Sequence, residues 1–158
     1  MTTLALDLGT RLGWAVSFGK DGEGKPDVLH GTTEFRLGRH ESAGHRWIRF
    51  RAWLQEIADG HGPITCVYYE EVRAHKGVDA AHMYAGFVST LQAWCVSREI
   101  EYCGIPVATI KRSATGKGNA NKAAMIEAMR KRGFSPEDDN AADAIALLLC
   151  VQAEKEAA

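Results

Sequence analysis

The stretch that most constrains the fold is Leu4–Val16, LALDLGTRLGWAV. Its apolar halves predict two strands, at residues 4–8 and 13–18, around a hairpin turn at GTRLG. The first strand carries Asp7 between two leucines, where a carboxylate must lose its hydration or find a partner. An arginine could supply that partner. A bound metal ion is the alternative, and the apolar flanks predict that this strand lies at the centre of a sheet.

The remaining pattern predicts strands separated by helices. Further strands are expected at residues 29–36, 64–72 and 101–105, and helices at 41–58, 78–97, from the loop SATGKGNANK to 132, and 139–154. The order βββ-α-β-α-β-α-α predicts the α/β class, with a mixed sheet and helices on its faces. With 158 residues, of which 46% are hydrophobic, the chain is expected to form a single domain.

Composition excludes several other classes of protein. No apolar run approaches the length of a membrane span, and the N-terminus MTTLALD lacks the features of a signal peptide. We therefore expect a cytoplasmic protein with no membrane partner. The four cysteines have no zinc-site spacing and are expected to be reduced, buried thiols. They are Cys66, Cys95, Cys103 and Cys150.

The net charge of −1 hides a segregated distribution. Cations dominate the segment 111–132, in which Glu127 is the one acid, and the segment 36–51, in which Glu41 is the one acid. Acids gather instead in PEDD near the C-terminal end. Separated charge of this kind indicates a basic surface for a polyanion and an acidic site elsewhere. Solvated helix faces are the plain alternative, and for the segment 36–51 that reading is equally good.

Carboxylates occur in other apolar segments besides the one around Asp7. CVYYEEV places Glu70 and Glu71 near the end of a predicted strand, and DDNAADAIALLL opens a predicted helix. In that helix Asp139, Asn140 and Asp143 can share one face. Several of these acids have ordinary explanations, because Asp138 or Asp139 can cap the helix and Glu71 can face solvent. Asp143 lies past the first turn, among alanines and leucines, where capping needs no carboxylate.

Divalent cations would offset the desolvation of these acids. Oxygen ligands without histidine or cysteine suit Mg²⁺ or Mn²⁺. Two such ions about 3.5–4 Å apart are the arrangement that hydrolyses a phosphodiester. An acidic metal site combined with basic phosphate-binding segments is typical of a nuclease.

With these motifs in this order, the chain resembles the RuvC-type Holliday junction resolvases of the ribonuclease H-like superfamily. Its small size and its DDNAADA motif are similar to those of the phage or prophage branch. The residues that carry the resemblance are LALDLGTRLGWAV, YYEEV, IKRSATGKGNANK and NAADAIALL. It implies a ribonuclease H-like fold, a five-stranded mixed sheet with helices on both faces, formed by one nuclease domain over residues 1–158. It also implies symmetric, two-metal-ion cleavage of four-way junctions by a homodimer, with Mg²⁺ as cofactor and Mn²⁺ able to replace it.

The resemblance also assigns site residues. Asp7, Glu70 (rather than Glu71) and Asp143 match the family's metal-binding acids. The position of the fourth acid holds Asn140, an uncharged ligand, so Asp139 is its rival for that role. Lys111 and Lys122 match basic residues close to the scissile phosphate.

Contacts to nucleic acid and between subunits are implied as well. Arg73 stands where the family often has an aromatic residue that probes the junction. The further DNA-binding residues are expected to be His75, Lys76, Arg112 and Lys117, together with Lys111 and Lys122. The helix at 78–97 is expected to form the dimer interface, although packing within one chain would also explain its apolar residues.

Other functions remain open at this stage. A branched-DNA or flap endonuclease and a ribonuclease H would use the same site on another substrate. A binding module that has lost catalysis would explain Asn140, although the presence of Asp7, Glu70 and Asp143 opposes it. DLGT followed by GWAV also resembles the phosphate-binding hairpin of actin-like ATPases and sugar kinases, but this chain is too short for their second domain.

Overall fold

The structure is a computed structural model that describes residues 2–158. Three strands come first, and helices separate the later strands. The elements are β1 (Thr2–Asp7), β2 (Arg11–Lys20), β3 (Pro26–Glu34), α1 (Ala43–His61), β4 (Ile64–Glu71), α2 (Val78–Ser97), β5 (Glu101–Pro106), α3 (Val107–Thr115), α4 (Lys122–Lys131) and α5 (Asp139–Ala157).

The strands form one mixed sheet of five strands in the order β3-β2-β1-β4-β5. β1 is antiparallel to β2, and β2 is antiparallel to β3. β4 is parallel to both β1 and β5. The predicted α/β class and mixed five-stranded sheet are confirmed, and so is the central position of β1.

The two faces of the sheet bury different kinds of side chain. On one side Leu4 and Leu6 of β1 pack with helices α1 and α2, where Phe50, Phe87 and Trp94 are buried. We call this side the aromatic face. On the other side Ala5 packs against α3, α4 and α5, in a core that includes buried alanines. We call this side the alanine face, and its alanines are Ala5, Ala15, Ala120, Ala142, Ala144 and Ala146.

Helix α3 is absent from the order predicted from the sequence, which was wrong here. Residues 107–115 form a helix directly after β5, and the loop begins at Gly116 rather than at Ser113. Gly116 ends the helix with a left-handed φ of 81° and donates its N–H to the carbonyl of Arg112. The segment VATIKRSAT is only nine residues long and follows β5 without an intervening loop, so no turn residues mark it as a separate helix. The other elements end within a few residues of their predicted bounds.

Two further observations bear on the expectations from composition. Within residues 2–158, no helix combines the length and apolarity that crossing a bilayer requires. The cysteines are free thiols, of which Cys66, Cys95 and Cys150 are buried as expected. Cys103 is exposed, so the expectation of burial was wrong for that residue.

Candidate active site

The first two carboxylates lie side by side at the ends of adjacent strands. β1 and β4 run parallel, and Leu6 pairs with Tyr69, which makes Asp7 and Glu70 neighbours at the same edge of the sheet. Both lie on the alanine face, because Asp7 alternates with Leu6 along β1 and Glu70 alternates with Tyr69 along β4. The apolar strand β1, which the sequence predicts to be central, therefore ends with a carboxylate, Asp7.

Helix α5 brings a third carboxylate over this edge because its backbone approaches β2 very closely. Gly13 pairs with Asp7 across the β1–β2 ladder. A Cβ atom at Gly13 would stand 1.9 Å from the carbonyl oxygen of Asn140, so only glycine allows this approach. The contact places the first turns of α5, with Asp139 and Asp143, above the ends of β1 and β4.

The start of α5 is tied to the antiparallel strands by its cap. Asp138 is the N-cap, as the sequence suggested for one of the two acids, and it accepts a hydrogen bond of 2.9 Å from the N–H of Ala141. It also accepts bonds from Thr32 Oγ1 at 2.7 Å and from Arg11 at 3.2 Å. Sequence reasoning missed these two partners, because no local pattern links β2 and β3 to a helix more than a hundred residues later.

The carboxylates influence one another through their pKa values. Burial, followed by the charges of Glu70 and Asp143, raises the pKa of Asp7 well above its usual value. Burial also raises the pKa of Glu70, opposed by the hydrogen bond with Asp7 and the charge of Lys111. For Asp143, burial and the charges of Glu70 and Asp139 raise the pKa to about 7. These side chains therefore form one electrostatically coupled group.

Asp139 and Asn140, the two rivals for the fourth position, face different partners. The charge of Asp139 raises the pKa of both Asp7 and Asp143. Asn140 interacts with Asp138 instead. Although burial alone would raise the pKa of Asp138, hydrogen bonds from Ala141, Thr32 and Asn140 lower it. Asp139 is thus part of the coupled carboxylate group through its charge, whereas the neutral side chain of Asn140 acts on the pKa of the cap residue Asp138.

The two lysines named from the sequence flank the carboxylates. Lys122, in the first turn of α4, forms an ion pair with Asp139 at 2.7 Å, and this contact raises the pKa of Lys122. A cation at this helix end opposes the helix dipole, and the carboxylate of Asp139 provides a local reason for its placement. Lys111, on α3, lies near enough to lower the pKa of both Glu70 and Asp143.

The other predicted DNA-binding residues lie on two separate segments. Arg112 is on α3, and Lys117 is in the loop between α3 and α4; both are exposed. Arg73 is exposed in the connection from β4 to α2, where it forms an ion pair of 3.2 Å with Glu71. In the same connection Lys76 is exposed and the ring of His75 lies 4.9 Å from that of Tyr84.

Sequence reasoning also missed Tyr84 itself. Its hydroxyl donates to the carbonyl of Glu70 at 2.9 Å and accepts from the N–H of Val72 at 3.1 Å. These bonds fix the end of β4, and hence the backbone that carries Glu70. A tyrosine in an apolar helix gives no signal of this role from the sequence alone.

The donor chemistry of the coupled group fits a hard divalent cation. Within the described residues, no three Asp, Glu, His or Cys side chains are already arranged as a metal-binding cluster. The coupled acids nevertheless offer only oxygen donors, which Mg²⁺ and Mn²⁺ prefer. Their desolvation and mutual repulsion, visible in the raised pKa values of Asp7 and Asp143, are what a bound cation would relieve.

Comparison with known proteins gives consistent results. No protein-family model matches the chain. The crossover junction endodeoxyribonuclease RuvC of Streptomyces coelicolor is 31% identical over 159 residues, which cover 95% of this chain and 80% of the relative. The structure of Thermus thermophilus RuvC matches with a TM-score of 0.80 at 20% identity, over 99% of this chain and 96% of that one.

A second solved structure is T. thermophilus RuvC in complex with Holliday junction substrate. It matches with a TM-score of 0.79 at 23% identity, over 95% of this chain and 92% of that one. At these identities the two solved structures establish a shared fold.

Proposed function

Because this chain belongs to the RuvC family of crossover junction endodeoxyribonucleases, we propose that it resolves Holliday junctions by cutting their phosphodiester bonds. The observation that carries the proposal is the meeting of Asp7, Glu70 and Asp143, from two strands and a helix, at one edge of the sheet. The two flanking lysines give this acidic group a cationic rim, which suits a polyanionic substrate.

We propose Asp7, Glu70, Asp139 and Asp143 as the residues that hold two Mg²⁺ ions, with Mn²⁺ able to replace them. Asp139 is preferred to Asn140 because its charge acts on Asp7 and Asp143, whereas Asn140 interacts with the cap. When bound, such ions would activate a water nucleophile and stabilise the leaving oxygen. The protein's own part is to hold four oxygen-bearing side chains on rigid elements around the reacting phosphate.

The cations have separate roles in this proposal. Lys111 and Lys122 neutralise the phosphate next to the carboxylates, where their ammonium groups already lower the pKa of Asp143. Arg73, His75 and Lys76 contact the strands that leave the junction. Arg112 and Lys117 contact backbone phosphates beside the α3–α4 loop.

We propose that α2 forms the interface of a two-fold symmetric homodimer. Val78 and Val96, near the ends of α2, are 67% and 66% exposed, although a valine is more stable when buried. A symmetric dimer would present two sites to opposed strands of a nearly two-fold symmetric junction. Light scattering coupled to size exclusion tests this, and a monomeric mass at micromolar concentration contradicts it.

Cleavage of a synthetic four-way junction in Mg²⁺ is the test of the function. We expect paired nicks at symmetric positions, and slower or no cutting of flaps, linear duplex and RNA–DNA hybrid. Asp7→Asn should lower kcat at least about 10²–10³-fold, because it removes a negatively charged ligand of the proposed metal ions. It should preserve junction binding, since a repulsive charge is gone.

Asp59→Asn is the matched control, because Asp59 is an exposed carboxylate whose hydrogen bond is to Gln55. Wild-type cleavage by the Asp7 variant would overturn the site. Faster cutting of a flap or of a hybrid would overturn the assigned substrate and leave the site in place.

A further inference from the structure

A basic cleft lies between helix α4 and the loop that precedes it. Its volume is about 680 Å³. Three exposed cations line it, Lys117 from the loop and Lys131 and Arg132 from the end of α4, against the single acid Glu127. None of the three forms an ion pair with a carboxylate of the described residues.

The loop side of the cleft is held in place by hydrogen bonds. The hydroxyl of Thr115 donates to the carbonyl of Lys111 at 2.9 Å and accepts the N–H of Lys117 at 3.2 Å. Across the cleft, the guanidinium of Arg132 donates to the carbonyl of Ser113 at 3.2 Å. The positions of the backbone at Lys117 and of the Arg132 side chain are therefore set before any ligand arrives.

A solvated helix end does not account for the whole of this arrangement. Cations in the last turn of α4 are favoured by the helix dipole, which explains Arg130 and Lys131. The dipole does not explain why Lys117, from a different segment, faces the same cleft. Cations that converge from two segments without carboxylate partners indicate an anionic ligand.

Helix α4 also sets the distance between the far end of this cleft and the carboxylates, because the cleft runs along the helix from Asn121 to Lys131. Lys122 begins the helix and touches Asp139, whereas Lys131 ends it at the cleft. The helix has 10 residues, so at about 1.5 Å per residue its ends are about 14 Å apart. Phosphates of one DNA strand advance about 3.4 Å per base pair along the duplex axis. A duplex lying along α4 would therefore place about four base pairs between the two ends.

We infer that the basic cleft binds the backbone of a duplex arm, with Lys131 at its far end about four base pairs from the scissile phosphate. The inference rests on the proposed function and adds a footprint to it. Lys131 and Lys117 contribute point charges to the phosphates, and Arg132, oriented by Ser113, can donate two hydrogen bonds to one phosphate. The cleft positions the arm and takes no part in bond cleavage.

The test compares Lys131→Gln with Arg130→Gln. The control removes the same charge from the same helix turn, but Arg130 does not line the cleft. Junction binding is measured in EDTA over a range of salt concentrations, so that cleavage plays no part. We expect Lys131→Gln to weaken binding about 3–10-fold and to lower the salt slope of log K by about 0.9. Adding Arg132→Gln should about double that slope change, and Arg130→Gln should leave it unaltered.

Neutral methylphosphonate linkages then locate the contact. They are placed singly at one to eight base pairs from the cut. A linkage near the fourth position should weaken binding by the wild-type protein. In Lys131→Gln that linkage should have no further effect, whereas linkages at other positions should act as they do in the wild type. The inference would be overturned if Lys131→Gln and Arg130→Gln had equal salt slopes of log K. It would also be overturned if no methylphosphonate position had an effect that depends on Lys131. A fall in kcat at saturating Lys131→Gln enzyme would overturn the purely positioning role.

Failure of the proposed function has a different signature. In that case wild-type protein does not cut junctions in Mg²⁺, whatever the binding measurements in EDTA show. Thermal unfolding of each variant confirms that the changes in binding do not arise from loss of the fold.

Discussion

The aromatic face and the alanine face of the same sheet have different roles. On the aromatic face Phe87 packs against Trp47 and Phe50 with ring centroids 5.0 Å apart in each pair, so large side chains fill the space between α1 and α2. On the alanine face the backbone of α5 comes against Gly13. Large buried area stabilises one face, and the small residues of the other allow strand and helix carboxylates to meet. Stability and site geometry can thus be perturbed separately.

The largest effect on stability is expected from Phe50→Ala on the aromatic face. Phe50 is completely buried, and truncation of such a residue costs about 3–5 kcal/mol. Because Phe50 lies on α1, away from the Tyr84 bonds that hold the end of β4, kcat per folded molecule should not change. Urea unfolding and junction cleavage at low temperature measure the two quantities. A loss of kcat beyond the loss of folded protein would show that the faces are not independent.

Gly13→Ala tests the alanine face in the opposite way. The new Cβ would meet the backbone of Asn140, which cannot move aside as a flexible side chain could, so α5 must shift. We expect cleavage to fall about 100-fold, the size associated with a misplacement of about 1 Å in a reacting group.

Gly31→Ala is its control in the same sheet, because a Cβ there would meet the ring of Trp14 at 3.0 Å on the aromatic face. That variant should lose stability and keep kcat. The comparison fails if the two glycine variants lose kcat equally.

A smaller effect should separate the two rivals on α5. Asp139→Asn is expected to reduce cleavage about 10-fold, because it removes a charge from the coupled carboxylate group, an effect of about 1.4 kcal/mol. Asn140→Ala should change cleavage less and lower the melting temperature slightly, since its side chain supports the Asp138 cap. Single-turnover cleavage over a Mg²⁺ titration measures both, and the reverse ranking would make Asn140 the ligand.

The smallest expected effect is a gain in stability. Without metal, the raised pKa of Asp7 means that the native state favours its protonated form, so stability falls as pH rises from the unfolded value near 4 through the native pKa. Asp7→Asn removes this penalty and should stabilise the protein by about 1 kcal/mol at pH 8 in EDTA, and by less at pH 5. Urea unfolding at the two pH values measures it. An equal change at both would show that ionisation of Asp7 is not the cause.

The sequence predicted the sheet well because its signals are local. Apolar runs bounded by turn residues marked the strands, and the resemblance to the RuvC-type resolvases implied that Asp7 and Glu70 share one site. Helix α3 escaped prediction because it has only nine residues and begins directly after β5, with no loop between them to mark a new element.

The parts of the site that were missed depend on contacts between distant segments. The ion pair of Lys122 with Asp139 joins two helices, and the Thr32–Asp138 bond joins β3 to α5. Such partners depend on how the elements are placed in space, which no local pattern records. A cap at Asp138 or Asp139 was predicted because capping is decided within a single turn, and Asp138 is the residue that forms it.

The Tyr84 hydroxyl connects α2 mechanically to the strand that carries Glu70. A displacement of α2 along its axis would pull on the carbonyl of Glu70 and on the N–H of Val72 together. If α2 joins two subunits, their association and dissociation would act on a helix that is hydrogen-bonded directly to β4 in each subunit. Tyr84 would then link the formation of the dimer to the position of Glu70.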